Sequence, residues 1–404
     1  MSMSTDSGLR PYDPLDPLIR RNPYPWYAHL RRHEPVKFLP GMNAYAVSRH
    51  EDVRQLMLDH AGFSSDPLIQ LAFSDFNPAP GARYMIASDP PDHTRLRTLV
   101  NKAFSRRALT EMDDAIRATI TGLIDRLEGQ TCFDFIEGFS SPLPVSVVGD
   151  ILGVETSMHA DFRRWSNNVT AGGSAAVLSE PQRAEMHKDA ADFRQYFLER
   201  IADARAHPED NLISALVEAE EHGQRLSADE VLALCVLLLI GGNETTTNML
   251  ANALLTLRDH PEVEREIRGN RALIPDFLEE SLRHTSPIQL LFRRATARTQ
   301  LSGVEIPEDA IVMPIFASAN RDETVFAAAE TLNIHRPDLR KHVAFGWGIH
   351  MCVGRALAAI EGEIALNALF DRYASITLAV EDPELCDAFY LRGPKSLPVE
   401  VQRY

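Results

Sequence analysis

The sequence predicts a mainly α-helical fold with a smaller β region, and three observations carry that expectation. First, Ser227-Ala228-Asp229-Glu230 is a capping box, and the helix it opens runs to about Asp259, where His260-Pro261 stops it. At 1.5 Å per residue this helix is about 48 Å long, enough to cross a whole domain. Second, residues 107–206 alternate amphipathic helical stretches with short breaks. Third, strand signals are short and few. Val36–Leu39 and Ala44–Ser48 flank Pro40-Gly41 as a hairpin, and residues 300–315 read as short strands around Gly303 and Pro307.

The other elements follow in chain order. Residues 1–20 form an irregular, proline-rich lead-in, Pro25 to Arg32 a short helix, and His50 to His60 a second. Residues 64–86 are irregular yet carry Leu68, Ile69, Leu71, Phe73, Phe76, Met85 and Ile86, and a long apolar loop inside a domain points to function. Asp89-Pro90-Pro91 opens a helix that places His93 and Arg97 one turn apart on one face, where two cationic donors can clamp a carboxylate. Gly172-Gly173-Ser174 reads as a flexible connection. Phe277 to His284 carries Glu280 and Arg283 at ion-pair spacing, Pro287 breaks that helix, and Ile288 to Phe292 reads as a strand ahead of Arg293. No internal repeat, low-complexity tract or linker divides the chain, so 1–404 is expected to be a single domain.

Composition narrows the function classes. Of 404 residues 45% are hydrophobic, enough for a sizeable core, and the net charge of −16 argues against nucleic acid as a partner. Cys132, Cys235, Cys352 and Cys386 are too widely spaced for a disulfide framework, which fits a reducing cytoplasm. The N-terminus has neither an apolar core nor a basic n-region, and the longest apolar run, Val231 to Ile240, is too short to span a bilayer, so a cytoplasmic protein with no membrane span is expected, as a monomer.

Two stretches carry chemistry. In the middle of the long helix lies Gly241-Gly242-Asn243-Glu244-Thr245-Thr246-Thr247. Two glycines cost about 2 kcal/mol of helix propensity, and Thr245 is placed to bond the Gly241 carbonyl one turn back, bending the helix and opening a groove. An acid, Glu244, and an alcohol, Thr245, then stand together at that groove, as proton delivery requires. The second stretch is Phe345-Gly346-Trp347-Gly348-Ile349-His350-Met351-Cys352-Val353-Gly354, followed by a run of helix formers. This is a thiolate held at a helix N-terminus, where free N–H groups and the dipole stabilise the anion. Gly346, Gly348 and Gly354 are expected to take positive φ. A lone thiolate makes a poor zinc site but suits the fifth position on heme iron, where its electron donation favours O–O cleavage.

The stretch 345–354 resembles the heme-binding loop of the cytochrome P-450 family, Phe-Gly-x-Gly-x-(His/Arg)-x-Cys-x-Gly, with every fixed position filled. Gly-Gly-x-Glu-Thr at 241–245 resembles the family's acid–alcohol motif, and the resemblance runs from about residue 20 to 404. It implies the cytochrome P-450 fold, with a long central I helix and heme b (iron protoporphyrin IX) ligated by Cys352 within the Phe345–Gly354 loop. His93, Arg97, Arg293 and His350 would neutralise the propionates. Glu280, Arg283 and Arg336 would form the family's buried Glu-x-x-Arg group, supporting the cysteine loop. The substrate loop would fall at 64–86, the lid near 172–174, and the last pocket turn at Tyr390-Leu391. Met85, Ile86, Leu237, Ile240, Gly241, Ile288, Gln289, Leu290, Tyr390 and Leu391 would line an apolar pocket. Two departures from the family pattern stand out. Glu323 replaces a proline after Asn320-Arg321-Asp322, and Ala359 stands where an arginine is common, both expected to alter only the surface.

The implied function is a monooxygenase that activates dioxygen and hydroxylates or epoxidises an apolar small molecule: a fatty acid, terpenoid, polyketide or other lipophile. Electrons would come from a ferredoxin and its ferredoxin reductase, docking on a basic cluster of Arg95, Lys102, Arg106, Arg107, Arg340 and Lys341. A peroxide-driven peroxygenase and a non-catalytic heme sensor are the alternatives; the acid–alcohol pair speaks against both.

Overall fold

The computed structural model describes residues 9–68, 77–104, 113–171 and 179–404. Ile69, Leu71, Phe73 and Phe76, the Gly172-Gly173-Ser174 connection, and Arg106 and Arg107 lie outside the described residues. Twelve short strands appear among those described: β1 (Val36–Leu39), β2 (Ala44–Val47), β3 (Phe63–Ser64), β4 (Cys132–Asp134), β5 (Glu220–Glu221), β6 (Gln224–Arg225), β7 (Arg293–Ala295), β8 (Thr299–Leu301), β9 (Val304–Ile306), β10 (Ile311–Pro314), β11 (Tyr373–Leu378) and β12 (Pro398–Arg403). The chain divides into two compact units, one joining the stretch ending at Pro67 with Glu279–Met351 and Leu385–Arg392, the other joining Leu68–Leu278, Cys352–Glu384 and Gly393–Tyr404.

The first unit is built on a five-stranded sheet of order β1-β2-β10-β7-β3. The β1–β2 hairpin pairs Val36 with Val47 and Leu39 with Ala44, and β10 joins β2 in parallel. Val36, Val47, Phe63 and Val312 pack with Val53, Leu56 and Met57 of helix His50–Leu58 and with Phe316. Alternation along the strands thus turns one sheet face onto a helix. The stretch Ile288 to Phe292, expected as a strand, makes only isolated backbone contacts, a bridge from Ile288 to Leu391, Leu291 N–H to the Pro314 carbonyl and Ala317 N–H to the Gln289 carbonyl; regular pairing begins at Arg293. Pro287 removes a donor there, and Gln289 N–H is taken by the Tyr390 carbonyl.

A fully buried ionic group sits in this unit. Glu280 receives Arg283 Nε at 2.7 Å and Arg336 Nε at 3.1 Å, and all three side chains are sealed from solvent. Arg283 also donates to the carbonyls of Asn320 and Ala329, both at 2.8 Å. Burying these charges is tolerable because nearly every donor is met. Glu323 does more than alter the surface: it receives Arg31 Nε at 3.1 Å, and Arg31 is only 3% exposed.

The second unit is mainly helical. Its axis is the helix Ala228–Asp259, capped reciprocally by Ser227 and Glu230: Ser227 N–H donates to Glu230 Oε2 at 2.8 Å, and Glu230 N–H to Ser227 Oγ at 3.2 Å. This helix is long and apolar enough to cross a membrane by length and composition, and more than half of that stretch is buried inside the protein, as in a core helix. Around it lie helices Asp92–Ala103, Asp113–Arg126, Pro142–Leu152, His159–Ala171, Glu180–Ala206 and Arg355–Arg372. Within 107–206 the structure adds two features absent from the sequence expectation, strand β4 and a π-helical turn over Ile136–Ser140. β4 pairs with β12, which pairs with β11.

Candidate functional site

Cys352 stands three residues before the helix Arg355–Arg372, whose N-cap is Gly354. The N–H groups of Gly354 and Arg355 point at its sulfur, and the guanidiniums of Arg97 and Arg355 lie within electrostatic reach. Its surface is accessible, yet the protein around the sulfur desolvates it, and that effect outweighs the four favourable groups and raises the thiol's pKa. A cationic metal bound to the sulfur reverses the balance. Of the three loop glycines, Gly346 and Gly348 take positive φ, 72° and 69°. Gly354 does not: at φ −84° it is an ordinary N-cap, contrary to the sequence expectation. Gly348 is doubly constrained, since a Cβ there would lie 2.7 Å from the Met57 carbonyl oxygen. Phe345 is half-buried beside His342.

Other loop residues are held within the first unit. Arg54 lies over the Trp347 ring at 4.3 Å, and His350 Nε2 shares a 2.9 Å hydrogen bond with Ser65 Oγ. Ser65 carried no signal in the sequence, because its partner lies 285 residues away. Arg293 is 2% exposed, with Nη1 donating to the Phe292 carbonyl.

In the second unit the polar side chains Asn243, Thr246 and Thr247 in the middle of the central helix each reach a different neighbour, while Thr245 bonds its own helix. Asn243 Nδ2 donates to Ser166 Oγ at 2.6 Å. Thr245 Oγ1 donates to the Gly241 carbonyl. The Thr246 hydroxyl bonds the Glu361 carboxyl on helix Arg355–Arg372, and burial pushes that carboxyl's pKa up to about 8. Thr247 Oγ1 donates at 3.1 Å to the Ser140 carbonyl, which the π-helical turn offers. Successive residues turn about 100° around the axis, so a run of polar residues reaches several helices in sequence. In the middle of this helix Leu237, Ile240, Gly241, Glu244 and Thr245 are all at least partly accessible. Their i, i+3, i+4 spacing makes them one face, apolar toward the N-terminus and carrying an acid and an alcohol toward the C-terminus.

On helix Asp92–Ala103, His93 is 2% exposed and Arg97 half-buried, and burial lowers the Arg97 pKa while Cys352 opposes that shift. Several pocket assignments need correction. Gln289 is 3% exposed, with its amide spent on the Ser286 carbonyl and the Tyr27 hydroxyl; Leu290 has no exposed surface, and Met85 is 5% exposed. All three are core residues. Ile86, Ile288, Tyr390 and Leu391 keep accessible surface, as does Leu291. The basic cluster also fails in part: Arg95 pairs with Glu230 and Lys102 with Glu221. Arg340 and Lys341 are exposed in the first unit.

The residues present fit a heme. Cys352, at the N-terminus of helix Arg355–Arg372, offers the single sulfur that a porphyrin-held iron needs from a protein. Arg97 lies in electrostatic reach of that sulfur, and the partly accessible face of the central helix ends in Glu244-Thr245. These features define a heme-thiolate protein.

Comparison with known proteins agrees. The family model for Cytochrome P450 matches residues 174–401. Cytochrome P450 107B1 of Saccharopolyspora erythraea is 36% identical over 388 residues, covering 92% of this chain and 93% of that protein. The structure of cytochrome P450 CYP109Q5 from Chondromyces apiculatus superposes with a TM-score of 0.88 at 34% identity, covering 97% of this chain and 98% of that one. CYP109E1 from Bacillus megaterium, solved in complex with testosterone, gives 0.85 at 32% identity, covering 94% and 99%. The chain belongs to the cytochrome P450 family and is of the bacterial, heme-thiolate monooxygenase type, with heme b as cofactor and external redox partners.

Proposed function

We propose that the whole chain works as one heme domain in which Cys352 is the iron ligand and Glu244 and Thr245 deliver protons. The observation that carries this reading is the pair of N–H groups, of Gly354 and Arg355, directed at the Cys352 sulfur at a helix N-terminus. His93, Arg97, Arg293 and His350 bind the propionates, the first two as a one-face clamp on one helix. The heme supplies the activation of dioxygen when bound. The chain's own residues then control water and protons: Leu237 and Ile240 keep the groove apolar, Thr245 holds a water through its hydroxyl, and Glu244 replenishes the proton that water gives up.

The substrate is a rigid lipophile of steroid or macrolide size. In the second unit the accessible Ile86, Leu237 and Ile240 are apolar, and in the first Ile288, Leu291 and Leu391 are, with Tyr390 the one polar exception among them; CYP109E1 holds testosterone. A ferredoxin and its reductase supply electrons, and the protein works as a cytoplasmic monomer. The reduced protein with carbon monoxide should show the red-shifted Soret band of heme-thiolate proteins, and Cys352→Ala should abolish it; an unchanged band in that variant would refute the ligand. Steroids and macrolides should shift the iron spin state, and NADPH should be consumed only when ferredoxin and reductase are both present. Equal turnover with peroxide alone would favour a peroxygenase.

A further inference from the structure

We infer that Asn243 and Ser166 form a positioning latch that makes proton delivery at Glu244-Thr245 depend on where the helix pair His159–Ala171 and Glu180–Ala206 stands. The inference rests on the reading of Glu244 and Thr245 as the proton-delivering pair.

The bond itself is buried and short. Asn243 is 4% exposed, Ser166 has no exposed surface, and Nδ2 donates to Oγ at 2.6 Å. Water does not compete for either group, so breaking the bond leaves a buried donor unmet. Asn243 directly precedes Glu244. Whatever fixes the rotation of the helix at Asn243 therefore fixes where the next two side chains point. A side-chain oxygen about 5 Å from the helix axis moves roughly 1 Å for every 10° of rotation. Misplacement on that scale can cost a reacting system about 10²-fold. Gly241, two residues earlier, carries no side chain to brace the helix against a neighbour. On its other side, Gly242 would place a Cβ only 3.2 Å from Val148.

Ser166 is in turn carried by a body larger than its own helix. Asp189, 3% exposed on helix Glu180–Ala206, receives Arg164 Nε at 3.1 Å and also Asn168 Nδ2. Trp165 packs edge-on against Phe193 with ring centroids 5.9 Å apart, and Phe162 lies 6.0 Å from Phe197. This ionic clamp and aromatic seam bind the two helices together, so a displacement of either one is felt at Ser166. On helix His159–Ala171, residues 161, 164 and 168 serve the neighbouring helix or its clamp, and Ser166 alone among these reaches the central helix.

The test compares wild type, Ser166→Ala, Asn243→Ala, the double variant and Thr245→Ala as heme-loaded proteins, each first checked for the carbon monoxide band. Product formed per NADPH consumed is measured, together with hydrogen exchange of the backbone amides at 238–248. Each single latch variant should lower the ratio about fivefold, the double variant should be no worse than either single, and exchange at 238–248 should rise. Ser166→Thr, which keeps the hydroxyl, should recover both values. Wild-type ratios in both latch variants, with Thr245→Ala impaired, would overturn the latch alone. Faster exchange with an unchanged ratio would make the bond merely structural and would overturn it equally. An unimpaired Thr245→Ala would remove the proton-delivery reading and the latch with it.

Discussion

The hydroxyl of Thr246 and the carboxyl of Glu361 meet in the interior, on two helices of the second unit. Glu361 is 2% exposed, and its Oε1 has no hydrogen-bond partner. Desolvation therefore dominates, and the pKa rises to about 8 despite the threonine. Thr246 is thus committed to a buried acid, whereas Thr245 stands on the partly accessible face.

A pH dependence of stability follows. The folded chain keeps the Glu361 proton to about pH 8, while the unfolded chain releases it at the ordinary glutamate value. Between those limits the native state binds more protons, so this group's contribution is fully present below the unfolded pKa and is lost as pH rises through the folded one. Glu361→Gln should flatten the decline in thermal midpoint between pH 5 and pH 8, and Thr246→Ala should steepen it by removing the hydrogen bond that holds the Glu361 pKa down. A parallel decline in wild type and Glu361→Gln would place the titrating group elsewhere.

The two threonines should separate kinetically. Thr245→Ala should leave heme and substrate binding intact, consume NADPH, and release hydrogen peroxide in place of most of the oxygenated product. Thr246→Ala should keep the wild-type product-to-NADPH ratio and lose about 1 kcal/mol of stability, one hydrogen bond's worth. The reverse pattern would mean that the working alcohol is Thr246.

Glu280 neutralises two buried arginines. Glu280→Ala would leave Arg283 and Arg336 uncompensated and should cost about 3–5 kcal/mol, read as a lower urea midpoint and a poor yield of heme-loaded protein. Arg336→Ala leaves the Arg283–Glu280 pair and should cost less. Equal losses would show that the group acts through packing.

Gly393 allows no side chain. A Cβ there would fall 1.9 Å from Asn248 Oδ1 on the central helix. Gly393→Ala should cost about 1–3 kcal/mol by overpacking, measured as the thermal midpoint, and Asn248→Ala should relieve part of that loss in the double variant. Additive losses would mean that the clash is absorbed elsewhere.

What the sequence alone determined lies in local, self-contained signals. The central helix was legible end to end because both boundaries are written within a few residues, the Ser227–Glu230 box and His260-Pro261. The Thr245–Gly241 bond was legible because four residues make one turn, and Cys352 because glycines and a helix start surround it. What only the tertiary structure decided are pairings of remote residues. Neither partner of Asn243–Ser166, Thr246–Glu361 or Ser65–His350 announces the other, since their meeting depends on how helices and loops stack. The same reason explains the misread residues. Gln289 and Leu290 looked like pocket lining, yet Tyr27, 262 residues away, claims the Gln289 amide. Arg95 and Lys102 looked like free cations until Glu230 and Glu221 were brought beside them. Helix caps and turn spacings act over a few ångströms of contiguous chain; burial and charge pairing are properties of the packed interior and come into being only with it.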